Sequence, residues 1–251
     1  MERYFEINKD EHNISCKLYY NSTQQTNKVV VFCHGFAGHK DNGAAEKLAA
    51  KLLAKHDGAA VLVFNSPCHG DDEKKTLKLS ECAEYLSAVV NYAKEEYRTD
   101  EIYCCATSFG GYLVLKYIAE AGNPFKKIVL RCPAVNMYDV LTKTIMKPEE
   151  RESILGGETV SVGFDRKIEV NPQFLEDLKN ADIQLNDYRS YSDDILILHG
   201  TEDEVVPFDA VSGFCAGNTI DFVPVGGADH RFQNPDCMNY AISRMLEFFG
   251  M

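Results

Sequence analysis

Short apolar runs recur along this chain, separated by stretches of helical periodicity, and that alternation restricts the fold more than any other feature. Val29-Val30-Val31-Phe32-Cys33 and the run from Ala59 to Phe64 contain no polar residue. A strand with one wet face alternates apolar and polar residues, whereas an uninterrupted run fits a strand buried on both faces. Further strands are expected at Glu101 to Cys105, Lys127 to Arg131, Ile195 to Leu198 and Ile220 to Val223. Between them, residues 43–56 carry Ala44, Leu48, Leu52 and Leu53 at helical spacing, and residues 78–97 set Leu79, Cys82, Leu86, Val89 and Val90 on one face. Phe109 to Ala121 reads as a helix stopped by Gly122-Asn123-Pro124, and residues 235–249 read as a closing helix. At the start, residues 3–7 and 14–20 read as strands joined by a polar turn from Asn8 to Asn13, and a polar loop from Asn21 to Asn27 follows. Strand and helix in alternation, with apolar strands, predict an α/β domain with a mostly parallel central sheet and helices on both faces.

One stretch breaks the rhythm. About sixty residues separate the strand ending near Arg131 from the one starting at Ile195, too long for an ordinary loop. It contains Gly156-Gly157, a short hairpin around Ser161 to Val170 and a helix from Pro172 to Asn180. It is read as a cap inserted over the carboxyl ends of the strands. The expected division is therefore a core of residues 1–132 and 193–251 with an inserted cap or lid of residues 133–192.

Composition limits the partners. The chain has 251 residues and a formal net charge of −12, opposite in sign to what phosphate backbones or anionic membrane surfaces attract. Neither nucleic acid nor membrane is expected as a partner, and the oligomeric state, a homodimer included, is left open. Nine cysteines, an odd number with no C-x-x-C pair, sit largely in apolar runs, Cys104-Cys105 among them. They read as small buried hydrophobes in a reducing compartment. The charged start, Met1-Glu2-Arg3, has no long apolar stretch behind it, so a cytoplasmic location is expected.

Four loops at strand ends carry the chemistry. In Ala106-Thr107-Ser108-Phe109-Gly110 a strand runs directly into a helix with a serine at the join. A serine held on so sharp a turn is exposed as a nucleophile, provided that the residues two positions to either side are small. Gly110 and Ala106 meet that need, although alanine stands where this motif usually has glycine. A serine that only caps the following helix is the competing reading. Cys33-His34-Gly35-Phe36-Ala37-Gly38 follows the Val-rich strand and offers the backbone N–H of Phe36 as one half of an oxyanion hole. The N–H of Phe109 would be the other half. The His34 side chain is read as a brace for that loop. Leu198-His199-Gly200-Thr201-Glu202-Asp203 ends a late strand in an acidic loop. Its spacing favours Asp203 as the acid over Glu202, Glu204 and Asp209. Of the seven histidines, only His230, on the turn Gly226-Gly227-Ala228-Asp229-His230, lies after that loop and is free to reach a pocket. The catalytic residues expected are thus Ser108, Asp203 and His230, in that chain order, each at the carboxyl end of a strand, where the loops of an open parallel sheet converge. Cys33-His34, Cys68-His69 and His39 match no zinc spacing, and no glycine-rich phosphate loop is present, so neither metal nor organic cofactor is expected.

The order of these motifs and nearly the whole chain resemble the α/β-hydrolase superfamily. The run His34-Gly35-Phe36-Ala37-Gly38-His39-Lys40, the chain length and the cap of about sixty residues resemble small bacterial cinnamoyl and feruloyl esterases and their serine-aminopeptidase-like relatives. Phe64-Asn65-Ser66-Pro67-Cys68-His69-Gly70-Asp71 is similar to their loop after the fourth strand, with Asn65 where aspartate is common. The resemblance implies a serine esterase that cleaves small-molecule carboxylic esters, hydroxycinnamoyl or other small acyl esters, through an acyl-enzyme on Ser108. An amidase or aminopeptidase, or a thioesterase, on the same three residues is the alternative, followed by a ligand-binding member of the fold without catalysis. Met137, Tyr138, Met146, Phe164, Phe174, Tyr188 and Tyr191 are the cap residues from which a pocket lining would be drawn, each taken singly being the more at home in the cap's own core.

Overall fold

The computed structural model describes residues 1–9, 11–24 and 26–251. Among the described residues there are ten strands: β1 Glu2–Lys9, β2 His12–Tyr20, β3 Lys28–Cys33, β4 Ala59–Phe64, β5 Ile102–Thr107, β6 Ile128–Arg131, β7 Val160–Val162, β8 Ile168–Val170, β9 Ile195–Gly200 and β10 Asp221–Val225. Eight of them form one sheet in the order β1-β2-β4-β3-β5-β6-β9-β10. β2 runs antiparallel to both its neighbours, and every pairing from β4 to β10 is parallel. β3, β4, β5, β6 and β9 are buried from end to end apart from Lys28, as their unbroken apolar runs require.

Helices cover both faces. α1 Gly43–Leu53 and α8 Pro235–Phe249 pack on one side, where Leu48, Leu52, Ile242 and Met245 meet Val30, Phe32, Val61 and Val63 of the strands. α2 Leu79–Tyr97, α3 Phe109–Ala121 and α7 Phe208–Asn218 contribute to the other core, around Val31, Leu62 and Cys104. The side chains of β3 alternate between these two cores, Val30 and Phe32 to one, Val29, Val31 and Cys33 to the other, which is the period-two rule of a strand.

The stretch between β6 and β9 holds α4 Met137–Asp139, which continues as a π-helical turn over Val140–Ile145, then α5 Pro148–Leu155, the β7–β8 hairpin and α6 Pro172–Asn180. Met137, Val160, Val170, Phe174 and Tyr188 join the same core as α2 and α3, so this insertion has no separate core of its own. The β7–β8 tip is fixed by Gly163, whose φ of +141° lies in the region that favours glycine and whose absent Cβ makes room for the carbonyl of Arg166. That tip rests against Ala37 of the loop after β3.

Sequence-expected boundaries differ in small ways. The first strand runs to Lys9 and the second starts at His12, so the strands take in Asn8, Lys9, His12 and Asn13 of the expected turn; Asp10 and Gln25 lie outside the described residues. β10 extends through Pro224 to Val225. Proline donates no ladder hydrogen bond, but β10 is the sheet's edge, where the loss costs nothing. All nine cysteines are free, and eight are buried, Cys104 and Cys105 among them. Among the described residues no helix is long and apolar enough to cross a membrane.

Two glycines should respond oppositely to alanine. A Cβ at Gly110 would lie 2.5 Å from the Cys33 carbonyl oxygen and 2.6 Å from that of His34, both backbone atoms that cannot step aside. Gly110→Ala is expected to lower the unfolding free energy by about 2 kcal/mol or more. Gly213, exposed in the middle of α7 with nothing within 4 Å of its Cβ position, is expected to gain about 0.5–1 kcal/mol as Gly213→Ala. Urea unfolding of the two variants beside the parent checks both signs.

Candidate active site

Ser108 is the single residue between β5 and α3, and its backbone sits at φ 52° and ψ −117°. A non-glycine residue reaches that conformation only when its surroundings hold it there. Here the Ser108 N–H donates to the Arg131 carbonyl at 3.0 Å, and the Ser108 carbonyl accepts from Tyr112 and Ala134, both at 3.1 Å. Gly110 lets the first turn of α3 pass under the end of β3, and Ala106, wholly buried in β5, lies opposite Cys33 and Leu130 of the flanking strands. The Ser108 hydroxyl makes no capping bond to α3. It lies instead 3.0 Å from Nε2 of His230.

His230 is held from behind. Its Nδ1 is 2.8 Å from Oδ2 and 3.0 Å from Oδ1 of Asp203, and its backbone N–H donates to Glu204 at 3.1 Å. With Nδ1–H donating to a carboxylate, Nε2 is left as an acceptor facing the serine hydroxyl. The Asp203 side chain is fully buried, and its Oδ1 also accepts the N–H groups of Val205 and Val206 at 2.9 and 2.8 Å. Burial pushes its carboxyl up, but the His230 hydrogen bond and charge, the Cys132 thiol and the Val206 N–H together hold it below its ordinary value. Of the four acids considered, only Asp203 reaches the His230 ring; the Glu204 carboxylate instead accepts the backbone N–H of His230.

The two loops are stitched together by sequence. The N–H groups of Thr201 and Glu202 donate to the carbonyls of Val225 and Ala228, both at 3.0 Å, and the Gly227 N–H donates to the Thr201 hydroxyl at 2.9 Å. Gly200 is required here because any Cβ would fall on the Ala228 carbonyl. Gly200 therefore serves the close passage of one loop over the other, whereas Gly227 serves its own turn, with a φ of +70° and no neighbour within 4 Å of its Cβ position.

The loop after β3 closes against the serine from the other side. A Cβ on Gly35 would lie 3.2 Å from the Ser108 Cβ, and the Gly38 N–H donates to the Gly35 carbonyl at 3.0 Å. Phe36 follows Gly35, and Phe109 is the first residue of α3, where a backbone N–H has no intrahelical acceptor. Their rings meet edge to face at 5.8 Å. His34 is a brace: its Nδ1–H donates to the Gly35 carbonyl at 2.9 Å and its Nε2 accepts the Ser66 N–H at 3.2 Å, tying this loop to the one after β4. Asn65 accepts the Lys40 N–H at 2.7 Å and donates to Asp71, which also pairs with the Lys40 ammonium at 2.6 Å. An aspartate at position 65 would set two carboxylates against each other, so Asn65 is the residue that Asp71 calls for.

The cavity over Ser108 measures about 810 Å³. Of the aromatic and methionine cap residues weighed from sequence, only Phe164 lines it. Met137, Met146, Phe174 and Tyr188 are buried in the core, Tyr138 and Tyr191 pack partly against it, and Ile145, Asp165 and Arg166 face the cavity instead. The lining residues that sequence reasoning missed sit at the hairpin tip and the π-helical turn, where only the tertiary fold decides which side chain turns inward. Cys132, Asp203 and His230 form the one group of metal-ligand spacing among the described residues. The donor set suits no metal: burial first, and then Asp203, push the Cys132 thiol well up, away from the thiolate a metal needs, and His230 Nδ1 already serves Asp203.

Three histidines near the site are kept neutral. Burial lowers His34 to about 3 and His69 to about 4, and it lowers His199 as well. Above pH about 6.5 both folded and unfolded chains hold these rings uncharged. Below it the unfolded chain binds protons that the folded chain refuses, so stability falls with pH across that window down to about pH 4. The urea midpoint is expected to be level from pH 8 to 7 and to decline steadily between pH 6.5 and 4; a level midpoint throughout would contradict the buried neutral rings.

The family model for the alpha/beta hydrolase fold matches residues 28–151. Among solved structures, Est1E from Butyrivibrio proteoclasticus with ferulic acid bound superposes with a TM-score of 0.78 at 21% identity, over 98% of this chain and all of that one (100%). A soluble variant of the monoglyceride lipase of Saccharomyces cerevisiae in complex with a substrate analog gives 0.75 at 14% identity, over 98% of this chain and 94% of that one. The monoacylglycerol lipase of Paleococcus ferrophilus gives 0.68 at 16% identity, over 94% of this chain and 98% of that one. Strand order, the serine turn and these likenesses agree: the chain has the α/β-hydrolase fold and resembles that superfamily along nearly its whole length.

Proposed function

We propose that this protein is a serine hydrolase of carboxylic esters, with Ser108 as nucleophile, His230 as general base and Asp203 as the acid that orients it. The observation that carries this reading is the continuous relay from Ser108 Oγ to His230 Nε2 at 3.0 Å and from His230 Nδ1 to Asp203 at 2.8 Å. His230 takes the Ser108 proton as the hydroxyl attacks the ester carbonyl. Asp203 stays ionised and stabilises the imidazolium that forms. The backbone N–H groups of Phe36 and Phe109 receive the developing oxyanion. The alcohol leaves with the proton from His230, and water repeats the cycle on the acyl-enzyme.

Residues 133–192 act in this scheme as the cap, since the Gly163–Arg166 tip and Ile145 close the cavity above Ser108. Phe164 gives it an apolar wall for an acyl group, in keeping with hydroxycinnamoyl or other small acyl esters as substrates. Eight buried free thiols fit a reducing, cytoplasmic setting.

Hydrolysis of p-nitrophenyl esters and methyl hydroxycinnamates is the test. Ser108→Ala is expected to lose turnover by about 10³-fold or more, and Asp203→Asn by about 10³- to 10⁴-fold because the wrong imidazole tautomer is held. A folded parent protein with neither ester turnover nor covalent labelling by a fluorophosphonate would overturn the reading. Labelling without ester turnover would move the substrate to an amide or a thioester.

A further inference from the structure

Arg131 ends β6 with its side chain buried, 8% exposed, and it meets no carboxylate within ion-pair distance among the described residues. Its Nε has no hydrogen-bond partner, and one terminal nitrogen reaches only the Met238 sulfur, at 3.5 Å. The guanidinium carbon lies 5.1 Å from the centre of the Phe232 ring. A buried guanidinium with five donors and so few acceptors is costly unless something else supplies them. Arg131, Phe232 and Met238 all line the cavity that contains Ser108, so the charged end of this side chain sits in the wall of the site. The carboxylates that affect it from a distance are already engaged, Asp203 with His230 and Asp229 with the Gln233 N–H.

The rest of the wall points the same way. Four cationic side chains, Lys47, Arg131, Arg166 and Arg231, line the cavity against three anionic ones, in a chain whose net charge is −12. Each of the three acids has a partner: Asp41 takes Lys17 and the Tyr4 hydroxyl, Asp165 takes Arg231, and Glu204 takes the His230 N–H. Arg131, Lys47 and Arg166 have no ion-pair partner among the described residues. α1 adds its positive end, since Asn42, Gly43 and Ala44 at its N-terminus line the same space.

We propose that Arg131 is the anchor of an anion subsite within the Ser108 cavity, and that the preferred substrate is an ester carrying a carboxylate on its acyl or its alcohol half. This rests on the hydrolase reading for its chemistry, but the subsite stands on its own geometry. Burial lowers the Arg131 pKa while leaving a guanidinium charged at neutral pH, so the group is a permanent cation waiting for two or more acceptor oxygens. A carboxylate supplies them in bidentate form, which a neutral ester does not.

The experiment uses two matched pairs. Mono-p-nitrophenyl glutarate against p-nitrophenyl pentanoate reads the acyl side, and 4-carboxyphenyl butyrate against phenyl butyrate reads the alcohol side. In the parent protein at low salt, kcat/KM for the anionic member of one pair is expected to exceed that of its neutral partner by about tenfold or more. Arg131→Met should bring that ratio down by about tenfold, Arg131→Lys should restore part of it, and Lys47→Gln should lower it less. A ratio near unity for both pairs in the parent protein, or a ratio untouched by Arg131→Met, would overturn the subsite. Calorimetry on Ser108→Ala reads it without turnover: monomethyl glutarate should bind and lose its binding on adding Arg131→Met, whereas no binding to Ser108→Ala would overturn it. Ester turnover without the anionic preference thus sinks the subsite alone. Binding of monomethyl glutarate without any ester turnover sinks the esterase reading alone. Where Arg131→Met does not fold, Arg131→Lys carries the test: a ratio lowered by the loss of the bidentate fork supports the subsite, and a ratio equal to the parent protein's overturns it.

Discussion

The strained backbone of Ser108 is the constraint on which the rest depends. A residue with φ near +52° between a strand and a helix persists only if the chain on either side has nowhere else to go. β5 is locked between β3 and β6 in a parallel sheet, and α3 must leave it at once, passing beneath the carbonyls of Cys33 and His34. Gly110 is the cost of that passage, and the two carbonyls belong to the last residue of β3 and the first of the loop that presents Phe36. The turn that exposes the serine and the loop that faces it are therefore one packing problem. His34 and the Lys40–Asn65–Asp71 cluster fix that loop from behind, with buried or paired polar groups that leave no slack.

The second half of the site follows from loop crossing. β9 and β10 are adjacent parallel strands, so the loops leaving them lie side by side at the same edge of the sheet. Gly200 lets the histidine loop cross the acid loop at backbone contact distance, and two main-chain bonds together with two from backbone N–H groups to the Thr201 hydroxyl and the Glu204 carboxylate then hold Asp203 and His230 in register. Asp203 loses its water but gains two backbone N–H groups and the imidazole, which keeps a buried carboxylate charged.

Much of this was legible in the sequence because the signals are local. The unbroken apolar runs of β3 and β4 fix strands buried on both faces, and the serine placed directly between β5 and α3 needs no long-range information. Asp203 was separable from Glu202, Glu204 and Asp209 by spacing, and the geometry brings that one to His230. What was not legible depends on tertiary placement. Met137, Phe174 and Tyr188 look like pocket candidates by type, yet they are core because the insertion packs on α2 and α3. Arg131 reads as the polar end of a strand, and nothing local says that its partners would be a phenylalanine ring and a sulfur. The strand expected to end at Val223 runs on through Pro224, which the position of β10 at the edge of the sheet allows.

A serine hydrolase passes through a Ser108 acyl-enzyme, and trapping that species is the decisive experiment. Rapid acid quench of the protein mixed with a p-nitrophenyl ester, followed by intact-mass and peptide mass spectrometry, reads the acyl group itself. One acyl group per chain is expected, on the peptide that contains Ser108, formed together with a burst of p-nitrophenol equal to the enzyme present. An acyl group on another residue, or ester turnover that persists in Ser108→Ala with no adduct on the parent protein, would contradict it.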